Sequence, residues 1–300
     1  MGAPDIVPPA LSGALLLDKP SGITSARAVA QVKRLLPKGV KIGHTGTLDP
    51  LASGLLVLLI DRATRLSRYV MSLDKTYAAT ARFGAVSDTL DADGEITPLK
   101  DASMPDETAL HAATKRFTGL LYQTPPMASA VKVGGERLYK AHRRGEIVER
   151  KSRPVKVHSL ELITLDPQEK TATFTVSCGS GTYVRTLISD LARSVDTSAY
   201  LTALRRTRIG HLKIEDAENL EGLTLRSLLK CIIPPRDVVM FLPVIEVADE
   251  KRSLVCNGHP FSSAFGVEGS YRVEAGGELL AIYVDQEGGG ARAEVVLCAG

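Results

Sequence analysis

The run KIGHTGTLDPLASGLLVLLI, residues 41–60, constrains the fold more than any other stretch. Gly43, Gly46, Gly54 and Pro50 interrupt regular structure, so residues 44–53 are expected to form a loop. Leu55 to Ile60 is a short apolar run and reads as a buried strand leaving that loop. A loop hung from a rigid strand is a common place for reactive groups. This one carries a single carboxylate, Asp49, fixed before Pro50, with His44, Thr45 and Thr47 nearby. An ionised Asp in that setting could be a nucleophile or a general base. The plain alternative is an Asp-Pro turn in which Asp49 caps its own backbone. Gly43-His44-Thr45-Gly46 also has the form of a KH-type GXXG loop, but that loop joins two helices and here a strand follows closely.

The surroundings of this loop are those of a globular chain. Its 300 residues, with 44% hydrophobic content, suffice for a sizeable core and two domains. No apolar run is long enough to span a membrane, and Met1 to Ile6 has neither the blocks of a signal peptide nor a myristoylation motif. Cys178, Cys231, Cys256 and Cys298 are scattered without CxxC spacing, so four reduced thiols in a cytoplasmic protein are expected. The net charge of +3 hides an asymmetry: residues 244–300 hold nine acidic against four basic residues, leaving +8 on the rest. A basic body with an acidic tail is compatible with RNA binding.

Along the chain, residues 13–17 read as a strand ending in the turn Asp18-Lys19-Pro20-Ser21-Gly22. Thr24 or Ser25 caps a helix with Val29, Val32 and Leu36 inward and Arg27, Lys33 and Arg34 outward. Residues 61–71 read as a second helix carrying Arg62, Arg65 and Arg68. Tyr77, Ala79, Ala81 and Phe83 alternate as in a strand. Asp88, Asp91 and Asp93 precede Gly94, but Thr89 and Lys100 occupy the first and last EF-hand ligand positions, so an acidic surface turn without metal is expected. Residues 106–117 read as a helix stopped by Gly119. Residues 132–156 hold nine Lys/Arg against three Glu and are the strongest candidate for phosphate contact. Strands are expected at 153–163 and 171–178, then a helix to about Val195 with Arg185 at its unfavourable, positive end. The stretch from Pro234 to Pro243 reads as a linker, dividing the chain into 1–243 and 244–300.

Taken together, these segments resemble the TruB branch of the pseudouridine synthases. GHTGTLDPLASGLL resembles that family's active-site loop, which makes Asp49 the nucleophile and His44 the wedge that fills the space of a flipped base, with Gly46 and Thr47 beside the RNA. The Lys19-Pro20 turn resembles the element that packs near the site, and Lys75-Thr76-Tyr77 the second motif, whose Tyr77 stacks on the base and assists loss of its C5 proton. Gln123 to Lys132 is similar to a further segment contributing Lys132, but Ala128 stands where the family has Tyr. Gly181-Thr182-Tyr183-Val184-Arg185-Thr186 resembles the third motif, implying Tyr183 at the RNA and an Arg185–Asp49 ion pair that keeps the carboxylate ionised. In residues 201–210, Leu204 would line the base pocket and Arg205 or Arg206 would face RNA.

The resemblance implies an α+β fold. Its mixed, mostly antiparallel central sheet is flanked by helices, and a small β-rich PUA-like module ends the chain. It implies isomerisation of a T-loop uridine in tRNA by a cytoplasmic monomer, with no cofactor, no membrane and no guide RNA. The alternatives are a tRNA-folding chaperone without catalysis and an RNA or nucleoside glycosidase.

Overall fold

The protein is described from a computed structural model over residues 11–100 and 103–298. Met1 to Ile6, on which the leader and lipidation readings rest, lie outside the described residues. In chain order the first elements are β1 (Gly13–Lys19), α1 (Ser25–Lys33), β2 (Ile42–His44), β3 (Ser53–Ile60), α2 (Ser67–Ser72) and β4 (Lys75–Phe83). A hairpin of β5 (Ala85–Ser87) and β6 (Ile96–Pro98) follows, then α3 (Glu107–Arg116) and β7 (Gly119–Gln123). An insert holds β8 (Lys132–Val133), β9 (Glu136–Arg137) and α4 (Leu138–Arg143). Then come β10 (Arg153–Asp166), β11 (Thr171–Cys178), α5 (Val184–Arg193), β12 (Ala199–Ile209), β13 (Leu212–Lys213) and β14 (Glu218–Asn219). The last elements are α6 (Leu225–Cys231), α7 (Pro235–Val238), β15 (Val244–Glu246), α8 (Arg252–Cys256), β16 (Ser270–Ala275), β17 (Glu278–Asp285) and β18 (Ala291–Val296).

The central sheet runs β14-β1-β3-β12-β4-β11-β10-β7, with β2 and β13 attached to β3 and β12. Only β14 on β1 and β12 on β3 pair in parallel; the other pairs are antiparallel, as expected. β1 and β3 are apolar on both faces because both faces are covered. Leu15, Leu17, Leu56, Leu58 and Ile60 join one core with α1 and α5, while Ala14, Leu16, Leu55, Val57 and Leu59 join another. That second core also takes Leu279, Ile282 and Leu297 from the small sheet β15-β16-β17-β18, which therefore docks on the back of the large one.

Residues 61–71 are not one helix: a 3₁₀ stretch, Asp61–Leu66, precedes α2, and Asp61 itself has a positive φ of 54°. The three arginines of this segment point at the last strand. Arg62 and Arg65 donate to the carbonyls of Leu297 and Val296 (3.4 and 2.6 Å), and Arg68 pairs with Glu294 at 2.7 Å. The expectation of four free thiols also needs correction. Cys178 and Cys231 are free, but Cys256 and Cys298 form a disulfide. They are 42 residues apart, and only folding brings the end of α8 beside the end of β18, with Cα atoms 5.4 Å apart.

The parallel contact of β3 with β12 is tight. Gly54 lies opposite Arg206 with φ of 99°, and a Cβ on it would sit 2.3 Å from the Arg206 carbonyl oxygen. Gly54→Ala is therefore expected to lower the unfolding free energy by about 3 kcal/mol or more in urea denaturation, from combined clash and left-handed backbone strain.

Candidate active site

Asp49 sits where the reactive loop returns to β3, at the end of the sheet where β1, β11 and β12 finish and β3 and β4 start. The loop has little regular structure, yet remote groups fix its backbone. The Ser25 hydroxyl donates to the Leu48 carbonyl (2.9 Å) and accepts from the Leu48 amide (2.8 Å). Ser21 Oγ donates to Leu51 O, Gly22 N to Pro50 O and Thr45 N to Val57 O. The Leu51 amide donates to Asp93 Oδ2 at 3.0 Å.

Arg185 reaches Asp49 from the first turn of α5, with Nη2 3.0 Å from Asp49 Oδ2. The guanidinium is 4% exposed and the carboxylate 38%. Nη1 also pairs with Asp91 Oδ2 at 3.0 Å, and the two nitrogens donate to the carbonyls of Thr89 (2.7 Å) and Ala128 (2.9 Å). The acidic segment is an exposed turn at Asp88, Asp93 and Glu95, as expected, but Asp91 is buried in it beneath Arg185, and Asp93 holds the loop at Leu51. Ala128 takes part through its backbone oxygen, which positions Arg185 and does not depend on the side chain there.

One cation here serves two carboxylates. Burial pushes the Asp49 carboxyl above the usual carboxylate range, Arg185 opposes this, and Asp91 and Asp93 add to the rise. The pair therefore orients Asp49 without holding its proton affinity low. Lys19 is fully buried, donates to the carbonyls of Pro20 and Ile23, and is pushed down to about 8 by burial. Its ammonium shapes the turn from within, and Pro20 is exposed outside it.

Tyr77 and Leu204 lie on the neighbouring strands β4 and β12, directed toward the same core as Leu56. Burial raises the Tyr77 phenol, with the Arg206 guanidinium opposing. Arg206 does not face outward: it is 2% exposed, lies opposite Tyr77, and donates to Leu55 O (2.7 Å) and Gly46 O (3.1 Å). Arg205 is paired with Asp18 at 2.6 Å. His44 is half-buried, and burial with the Arg206 charge lowers its pKa, so the ring is neutral at pH 7. Thr47 is exposed beside it. Tyr183 precedes α5, where Gln123 grips its backbone through two bonds (3.1 and 2.7 Å).

The structure therefore gathers Lys19, His44, Gly46, Asp49, Tyr77, Tyr183, Arg185 and Leu204 at one end of the sheet. Lys132 stands apart on the exposed β8–β9 hairpin. Sequence reasoning missed Asp91, Asp93 and Ser25 as parts of the site, and the inward turn of Arg206.

The family description "TruB family pseudouridylate synthase (N terminal domain)" matches residues 33–184. A tRNA pseudouridine synthase B of Aromatoleum aromaticum is 40% identical over 275 residues, spanning 91% of this chain and 88% of that protein. The Burkholderia mallei protein of the same name is 47% identical over 214 residues, 71% of this chain and 70% of its own. Among solved structures, a chain of a Cbf5-Nop10-Gar1 complex matches with a TM-score of 0.73 and 25% identity, covering 96% of this chain and 86% of that one. A chain of an H/ACA RNP bound to a substrate RNA has the same fold, with a TM-score of 0.73 and 22% identity over 100% of this chain and 92% of its own.

Because Asp91 raises and Arg185 lowers the proton affinity of Asp49, their removal has opposite effects. In ¹³C NMR titrations of aspartate-labelled protein, the Asp49 carboxyl is expected to titrate at lower pH in Asp91→Asn and at higher pH in Arg185→Met.

Proposed function

This chain belongs to the TruB family of pseudouridylate synthases, and on that premise we propose that it converts a T-loop uridine of tRNA to pseudouridine, with Asp49 as nucleophile. The observation that carries this reading is the buried Arg185 holding Asp49 at the end of the sheet from which β4 and β12 carry Tyr77 and Leu204. A flipped base entering this pocket stacks on Tyr77 and rests on Leu204, with His44 in the space it vacates. The neutral His44 imidazole suits that place, since it enters a base stack without a charge to desolvate.

The Asp49 carboxylate acts as an anion, either on the sugar C1′, on uracil C6, or in glycal formation. The N1–C1′ bond breaks, the uracil turns, C5 bonds to C1′ as any bond to Asp49 breaks, and the C5 proton leaves with Tyr77 beside it while N1 takes up a proton, so the product is an isomer of the substrate. Throughout, Arg185 keeps one carboxylate partner in Asp91, so consumption or neutralisation of the Asp49 charge never leaves the guanidinium unpaired.

RNA grip is assigned to the insert. Lys132, Glu136, Arg137, Tyr139 and Lys140 line a cleft of about 390 Å³, and the Glu136 carboxylate is neutralised by Arg144 through two 2.8 Å bonds. With that cationic cleft the chain binds tRNA directly as a monomer, without a guide RNA, in the cytoplasm. Residues 244–300 form the PUA-like module, supported by the separate β15–β18 sheet and its core of Tyr271, Val273 and Tyr283.

The test is tritium release from tRNA labelled at uridine C5. Asp49→Asn is expected to lower release at least about a thousandfold while tRNA remains bound. Protonation removes the nucleophile, so the native rate falls as pH drops through the Asp49 pKa. Because that pKa is raised, the acid limb lies above the ordinary aspartate range, and it moves down in Asp91→Asn. Binding without release by the native protein would favour a chaperone.

A further inference from the structure

The edge strand β7 carries two apolar side chains that the described chain leaves open. Leu120 and Tyr122 are 69% and 73% exposed, while the alternate residues Leu121 and Gln123 turn inward. On β10, Pro154 lies opposite Tyr122 and Lys156 opposite Leu120, and both are exposed. Arg153 lies opposite the inward Gln123 and so belongs to the other face of the strand pair. The acid close to this face, Asp74, is engaged by His158 at 3.1 Å. An exposed aromatic on a sheet edge is a liability that chains usually blunt, and it marks an interaction surface when it is kept.

Position narrows the partner. Gln123, next to Tyr122, holds the backbone of Tyr183, two residues before the Arg185 that grips Asp49. The open face is therefore at the same end of the sheet as the active site. Its chemistry is a ring face beside one cation, Lys156. An apolar protein surface would bury that cation uncompensated, whereas a nucleotide offers a base for the ring and a phosphate for the charge. Base flipping also leaves the RNA locally unstacked, so unpaired bases are available.

We propose that Tyr122, supported by Leu120 and Pro154, is a stacking platform for an unpaired nucleotide of the bound RNA outside the target-base pocket, with Lys156 taking an adjacent phosphate. The platform rests on the RNA-modifying reading above. It makes Tyr122 a determinant of which RNAs are held, not a catalytic residue.

The experiment measures Kd for unmodified tRNA transcript at several salt concentrations, with C5 tritium release in parallel, for native protein, Tyr122→Ala, Tyr122→Phe and Lys156→Gln. Tyr122→Ala is expected to raise Kd and KM about tenfold, with the loss in KM and not in kcat. Tyr122→Phe keeps the ring face and stays within about twofold of native. Lys156→Gln lowers the salt slope by about one. An unchanged Kd in Tyr122→Ala overturns the platform and leaves the face to a protein partner. Equal losses in Tyr122→Phe and Tyr122→Ala overturn stacking in favour of the hydroxyl. Native protein that binds tRNA without releasing tritium overturns the proposed reaction, while the Kd series still decides the platform; native protein that binds no tRNA overturns both.

Discussion

The Arg185 guanidinium is the interaction on which the site depends. A buried cation is tolerated only when its charge and its donors are met. Here two carboxylates and two carbonyls, from three separate parts of the chain, meet it. Removing a partner from a buried pair costs about 3–5 kcal/mol when it leaves a charge uncompensated. The two carboxylates are not equivalent in this respect. Asp91 is buried and pairs with no other cation among the described residues, whereas Asp49 is more than a third exposed at its side chain. Structural dependence falls on Asp91, which leaves Asp49 free for chemistry.

The same division explains an electrostatic result that a simple ion pair would not give. A guanidinium devoted to one carboxylate depresses its pKa. Shared between two, with Asp93 close by and solvent partly excluded, it fails to offset desolvation, and Asp49 is pushed up. Raised proton affinity goes with a more basic anion. The geometry thus exchanges some ionisation at low pH for a more basic carboxylate above the pKa, which suits the nucleophilic role proposed for Asp49.

What was legible in the sequence follows from how local each signal is. β1, β3 and β4 were readable because apolar runs and period-two alternation are properties of neighbouring residues. The Asp49–Arg185 pair came through family resemblance, since 136 positions separate the two residues and no local rule joins them. Asp91 and Asp93 were lost because charges in a glycine-containing turn look solvated, and only β12 and α5, about a hundred residues later, bury Asp91. Arg206 was recoverable: with Leu204 inward on a strand, the residue two positions on shares its face. The bulges in β12, between Leu201 and Ala203 and between Arg206 and Arg208, interrupt that alternation on both sides and hide it.

A loop of glycines and a proline ought to be a poor place for a reactive carboxylate, because ordering it is entropically costly. The cost is met by distributing the restraint. Ser25 from α1, Asp93 from the acidic turn and Arg206 from β12 each bind a different backbone group of the loop. Leu48 is buried in the main core between them. Each of these anchors lies on, or is itself clamped by, regular structure, so the loop inherits the rigidity of the sheet end without being part of it. Gly46 and Gly54 then have defined purposes. Gly46, at φ of 140°, turns its carbonyl toward Arg206, and Gly54 admits the Arg206 backbone at a distance no side chain permits. Arg206 is consequently a structural counterpart of Arg185: one buried guanidinium fixes the loop's backbone, the other fixes its carboxylate. Both are satisfied by carbonyls that exist only in the folded arrangement, so the reactive geometry and the fold around it form together.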